Sequence, residues 1–198
     1  MRHRWMCAPM MILCLILAAC GGESGGQAEQ LALDIRGEYL EMASCAGQTE
    51  VIADYGQRVY EYGISFQWER EGDLVLTVTA PVEAAGITAR VSGEQTSLEY
   101  DGVRLETGPL NEDGLSPIDA IPALLRALRE DFIAECGMEK LGETHTLRLC
   151  CRAPENTAGV GEEITLWLHP ETHALLRGEV SQDGFTVIQC TFTEFTAG

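Results

Sequence analysis

Positive charge is what this chain has least of. It carries 13 Lys and Arg against 31 Asp and Glu, for a formal net charge of −18, and its one lysine is Lys140. Such a surface is repelled by phosphate backbones and by anionic lipid headgroups, which excludes a nucleic-acid partner and a basic membrane-binding face. Apolar runs are short as well. None reaches the roughly 17–25 residues that a membrane-spanning helix needs. The chain also lacks G-x-S-x-G, H-E-x-x-H, the P-loop and G-x-G-x-x-G, so the commonest hydrolase, zinc-protease and nucleotide-binding chemistries have no motif to rest on. No internal repeat is present. With 31 acids, pairs of carboxylates arise by chance, and no catalytic set stands out. We expect no enzyme, no cofactor and no resident metal.

What is present begins at the amino terminus. Arg2, His3 and Arg4 precede an apolar run, Met10–Ala19, that ends in small residues. A positive flank, a short apolar segment and small residues describe a secretory signal. The phrase Leu17-Ala18-Ala19-Cys20 resembles the lipobox of bacterial lipoproteins, in which the cysteine thiol takes up diacylglycerol and the chain is cut before it. The resemblance implies a signal peptide over 1–19 and lipidation at Cys20. Residues 20–27, with Gly21-Gly22-Glu23-Ser24-Gly25-Gly26-Gln27, then read as a flexible tether. This places residues 28–198 as one domain on the extracytoplasmic face of a cell membrane, moored by lipid. Loss of Arg2 and Arg4 with the signal takes the charge from −18 to about −20.

Of eight cysteines, Cys45, Cys136, Cys150, Cys151 and Cys190 would remain free of signal and anchor. Five is odd, so at least one thiol stays unpaired in an exporting compartment. Neighbours in a strand point to opposite faces, so Cys150 and Cys151 should not bond each other. A zinc site on Cys136, Cys150 or Cys151 and His145 lacks C-x-x-C spacing, and structural thiols are the better reading. His169 and His173 flank the turn Pro170-Glu171-Thr172 and would share a metal at i, i+4 only on a helix. On a turn they read as solvated.

Periodicity organises the rest. Leu31, Ile35, Tyr39 and Met42 make one stripe and predict a helix over 30–44, weakened by Gly37 and ended by Cys45-Ala46-Gly47. The period then drops to two. Tyr60, Tyr62, Ile64, Phe66 and Trp68 alternate with mostly polar residues, giving a strand with one aromatic face. Leu74, Leu76 and Val78 continue the alternation, followed by strand-like runs at 86–91, 96–100 and 103–106. Asp101-Gly102 signals a tight hairpin. A second helix is capped by Ser116 or Asp119, tolerates Pro122 in its first turn, and carries the stripe Ile121, Leu124, Leu125, Leu128 and Phe132. Runs at 144–152, 163–169, 174–181 and 185–195 follow, separated by short turns as in an antiparallel meander.

Two helices cannot cover both faces of so many strands. The fold expected is α+β, a strongly curved antiparallel half-barrel wrapped around two or so amphipathic helices, with an apolar cavity between them. That layout, with two local phrases, resembles the LolA/LolB-like lipoprotein-carrier family. LTVTAPVEAAGITARVSGEQTSLEYDGVRLE is similar to its central strand block, and ITLWLHPETHALLRGEVSQDGFTVIQCTFTEF to its closing hairpins. The anchored plan resembles LolB-like proteins and the GerS-like germination lipoproteins of Gram-positive spore formers. The resemblance implies a carrier that binds lipid or lipoprotein acyl chains in its cavity, as in lipoprotein sorting. Its alternative is a non-catalytic surface adaptor that tethers a partner such as a cell-wall amidase. The residues expected to line the cavity are Tyr60, Tyr62, Ile64, Phe66, Trp68, Leu124, Leu128 and Phe132. A row of this kind also packs a core, so the shape of the interior decides between the two functions.

Overall fold

Two periods, 3.6 and 2, divide the chain into helices and strands. The computed structural model describes residues 23–93, 95–109 and 113–198. Helix α1 (Glu23–Glu41) opens it, and six strands follow: β1 (Ser44–Asp54), β2 (Val59–Glu69), β3 (Leu74–Ala80), β4 (Thr88–Ser92), β5 (Gln95–Tyr100) and β6 (Val103–Glu106). Helix α2 (Pro117–Arg129) crosses over to β7 (Ile133–Leu141), β8 (Thr144–Arg152), β9 (Glu162–Leu168), β10 (Leu175–Gln182) and β11 (Phe185–Ala197). Cys20 and the lipobox lie outside the described residues.

All eleven strands form one antiparallel sheet in the order β6-β5-β4-β3-β2-β1-β11-β10-β9-β8-β7. The chain runs out from the centre to β6, crosses on α2 to the opposite edge, and returns to the centre. The first and last strands meet there, where Ser44 and Gly198 exchange backbone hydrogen bonds at 2.9 and 3.0 Å. The sheet stays open, because β6 and β7 do not pair. This is the curved sheet with helices on one face that the layout predicts.

Hairpin chemistry sets the register. At the β5–β6 turn Asp101 and Gly102 have φ of 49° and 74°, and at the β10–β11 turn Asp183 and Gly184 have φ of 51° and 80°. Two consecutive left-handed residues twist a hairpin in the sense its strands require. Ser116 caps α2: its hydroxyl accepts from the Asp119 amide at 3.3 Å and donates to the Asp119 carboxylate at 2.6 Å. Burial lifts the Asp119 carboxyl above its ordinary range.

Both helices lie on the same face. Helix α1 packs on β7 and β8, while α2 packs on β9, β10, β11 and β1. Arg36 of α1 donates to the carbonyls of Leu128 (3.0 Å) and Ala127 (3.1 Å), tying the two helices together at the end of α2. A cation at a helix carboxyl terminus also meets the negative end of its dipole.

The structure departs from expectation in four places. Helix α1 begins at Glu23, so residues 23–27 continue a helix instead of a slack tether, and it ends at Glu41. Cys45-Ala46-Gly47, expected to terminate it, lie inside β1. Strand β7 has no counterpart among the expected runs; an Ile133/Glu135 register shift and Gly137 break its alternation. Phe132 falls beyond α2, which stops at Arg129, and it is 54% exposed. The outer face also buries Trp167 and Cys150.

Candidate functional site

The register of the sheet builds a continuous inner face beneath the helices. One row runs Cys136–Leu149–Leu166–Gly178–Cys190–Val51–Tyr62 across seven strands. Leu124 of α2 comes down on this row at Gly178. A Cβ at 178 would sit only 2.5 Å from the Leu124 Cδ1 and 2.6 Å from its Cδ2. Glycine is therefore what lets the helix rest on the strand backbone. Ile121, Leu124 and Leu128 are fully buried there with Leu147, Leu166 and Ile188.

The eight residues expected to line a cavity divide three ways. Ile64, Phe66, Leu124 and Leu128 are buried in the core. Tyr62 and Trp68 pack against it half-buried, and the Arg129 guanidinium stacks over Trp68 at 5.0 Å. Tyr60 and Phe132 are exposed, with Tyr60 edge-on to Tyr55 at 6.1 Å. Phe66 instead joins Phe192, Phe195 and Tyr39 in a cluster with ring centres 5.9–6.2 Å apart. The Tyr39 hydroxyl donates to the His173 carbonyl at 2.8 Å.

The clefts found lie around this interior. One of 640 Å³ runs between α1 and β7, lined by Leu33, Cys136, Met138, Glu29, Glu135 and Glu139 among others. Concavities of 610 and 360 Å³ include outer-face residues such as Gln48, Glu50, Ser65 and Thr77. A fourth, of 280 Å³, sits beside Phe132 at the end of α2. Sequence reasoning missed the α1–β7 cleft because it missed β7. Beyond the reach of the helices, the inner face continues onto an open shelf. There the pairs Leu98–Leu105 and Tyr100–Val103 stand in register, with Val103 70% and Leu105 61% exposed.

Chemistry is sparse at all these places. All five described cysteines are free. Burial pushes the thiols of Cys45, Cys151 and Cys190 up to about 12, which leaves them protonated and inert at neutral pH. Cys150 and Cys151 do face opposite ways: one lies 3.9 Å from Glu163 and the other 3.8 Å from the Ala127 carbonyl under α2. Among the described residues, no group of three or more His, Cys, Asp or Glu is placed to hold a metal. The two turn histidines are not simply solvated. His169 Nδ1 accepts from the amides of Glu171 and Thr172, and His173 Nδ1 lies 2.7 Å from Glu38 of α1. No described helix is long and apolar enough to cross a membrane.

No family model and no curated protein matches the chain. Solved structures do. A conserved protein from Thermus thermophilus is 11% identical, with 87% of this chain and 88% of that one covered at a TM-score of 0.53. The likeness is one of fold. A LolA superfamily protein from Nitrosomonas europaea is 9% identical over 88% of this chain and 93% of that one, at a TM-score of 0.42. A chain of the Clostridioides difficile CwlD amidase–GerS lipoprotein complex is 15% identical over 85% of this chain and 94% of that one, at a TM-score of 0.43. The observed architecture, an open curved antiparallel sheet with two helices on its inner face, is the one implied by the resemblance of the strand phrases.

Proposed function

We propose that this protein is a lipid-anchored, extracytoplasmic and non-catalytic domain that holds a partner protein at a membrane surface, with Cys20 as the anchor. The observation that carries the reading is the contact of Leu124 with the Gly178 backbone. An acyl-chain carrier needs dry empty volume between helix and sheet, and here α2 lies on the strand with its apolar stripe fully buried. On this reading the outer surfaces do the work. The high negative charge suits an anchored protein whose membrane contact comes from its acyl chains and not from its face. A cell-wall amidase, the partner that the spore-former resemblance implies, is the first candidate.

Two measurements test this. Replacing Cys20 by serine should move the protein from the membrane to the soluble fraction; retention on washed membranes would sink the anchor. Native mass spectrometry of the detergent-stripped protein should show the mass of chain and anchor alone. The second reading, a carrier of lipid or lipoprotein acyl chains, is favoured by the open shelf of Tyr100, Val103 and Leu105. A retained lipid in the mass spectrum would support that reading against the adaptor.

A further inference from the structure

We infer that the open edge of β7 is a docking strand for an extended, basic segment of a partner protein, which adds beside Ile133–Glu139 against the exposed flank of α1. The inference rests on the adaptor reading and supplies the chemistry of its partner. Strand β7 pairs on one side only, with β8. The 640 Å³ cleft is lined by every residue from Ile133 to Glu139. Residues of both strand faces contribute, Cys136 and Met138 from the inner and Glu135 and Glu139 from the outer. A cleft that takes consecutive residues follows the strand's backbone edge, where unpaired amides and carbonyls await a partner. About seven residues at roughly 3.3 Å each give an edge some 23 Å long. The opposite wall is α1, where Leu33 is 60% exposed, and Met138 is 47% exposed beside it. Gly137, midway along, has nothing within 4 Å of where a Cβ would stand, which keeps the middle of the edge open.

Edge pairing of this kind draws affinity from main-chain hydrogen bonds and specificity from alternate side chains. The opposite edge of the sheet offers less. Strand β6 has four residues and carries the Arg104–Glu106 ion pair, devices that blunt an edge. The charge of the β7 cleft selects the occupant. It holds three carboxylates and one cation, Arg148, which lies 3.8 Å from Glu135. Glu135 is also paired with Arg152 at 2.7 Å. Among the described residues, Glu29 and Glu139 have no cationic partner; Glu139 instead accepts from the Trp167 indole N–H. A second copy of this chain fits poorly, since antiparallel self-pairing about Gly137 sets Glu135 opposite Glu139, and like charges across a ladder repel. A segment that alternates basic and apolar residues fits both the acids and the Leu33–Met138 wall.

The probes are a seven-residue peptide of alternating lysine and valine, its glutamate–valine counterpart, and the lysine–valine peptide with a central proline. Hydrogen exchange is followed on the full lipidated chain in neutral detergent. The lysine–valine peptide should slow exchange across Ile133–Leu141, and the other two should not. Glu29→Lys, at an exposed position on α1, should weaken binding about three- to tenfold with the fold unchanged. Protection at Val103–Glu106 instead, equal protection by all three peptides, or no protection of β7 would overturn the inference. Concentration-dependent protection without any peptide would make a second copy the occupant and overturn it equally. A lipid-free mass spectrum with an unprotected β7 removes this inference and leaves the adaptor reading in place, whereas a bound lipid removes that reading itself.

Discussion

Gly178→Ala asks directly whether the bowl is full. The added methyl would stand 2.5, 2.6 and 3.0 Å from the Cδ1, Cδ2 and Cγ atoms of Leu124. Leu124 has no free direction, because it is fully buried and α2 is held to α1 by Arg36. Overpacking of this kind costs about 1–3 kcal/mol. Replacing a strand glycine returns about 0.5–1 kcal/mol of chain entropy, so the net loss should be about 1–2 kcal/mol. Leu124→Ala alone leaves a cavity and should cost about 3 kcal/mol. In the double variant the new methyl enters the vacated space, and the loss should be about 2 kcal/mol instead of the sum of about 4–5. Urea unfolding of the three variants measures the cycle, and each kcal/mol lowers Tm by about 2–4 °C in a chain of this size. A neutral Gly178→Ala with additive energies would mean that α2 lifts freely from the sheet. The case against an acyl-chain cavity would then fall.

Gly37→Ala should stabilise α1 by about 1 kcal/mol, because the position is exposed and an added methyl meets nothing within 4 Å; a loss in thermal unfolding would contradict that packing. Of the five thiols in the domain, only half-buried Cys136 should react with a thiol reagent at pH 8 in the native protein. Cys45, Cys150, Cys151 and Cys190 should wait for denaturant, and early labelling of any of these would show local opening. Arg152 holds the Glu135 carboxyl below its ordinary value of 4.5. A depressed folded-state value contributes stability that is present above about pH 4.5 and is lost as pH falls further. Glu135→Gln should therefore flatten the acid limb of the stability profile, and an unchanged limb would refute the pairing.

Much of the fold was legible because strands with one buried face alternate cleanly. The β2 row and the stripe Ile121–Leu128 are inner-face residues as their periodicity predicts, and Asp101-Gly102 marks the β5–β6 hairpin. The parts that were missed share a cause. In β1 the inner positions include Cys45, Gly47, Thr49 and Ala53, small or polar residues that carry little hydrophobic signal although Cys45, Thr49 and Ala53 are buried. In β7 a register shift and edge exposure break the period. Helix α1 extends back through Gly25 and Gly26, residues whose low helical propensity argues for a loop. Phe132 fitted the helical stripe by spacing, yet α2 stops at Arg129, where the next backbone turn feeds β7. The candidate site was the least legible part, since whether an apolar face lines a hollow or fills it depends on side chains meeting across the fold, and single-strand patterns do not encode that distance.

The distribution of cover over the inner face explains where function can reside. The helices pack chiefly on β7 to β11 and β1, and Arg129 at the end of α2 reaches Trp68 of β2. At the limit of their reach, Tyr39 of α1 meets Phe195, and Phe195 meets Phe66 and Phe192, so aromatic contacts close the seam between helix and sheet. Beyond it the sheet thins to short strands, and Tyr100, Val103 and Leu105 stand uncovered on the inner face. The centre of the molecule, where Leu124 rests on bare backbone, is packed core. Free surface remains at the two margins, a small apolar shelf by β6 and a long acid-rimmed edge at β7. An edge nine residues long is a hazard to any sheet that must not aggregate. Glu29 and Glu139 line it with no cationic partner among the described residues, so the charge that disfavours pairing between copies of this chain also selects a basic strand.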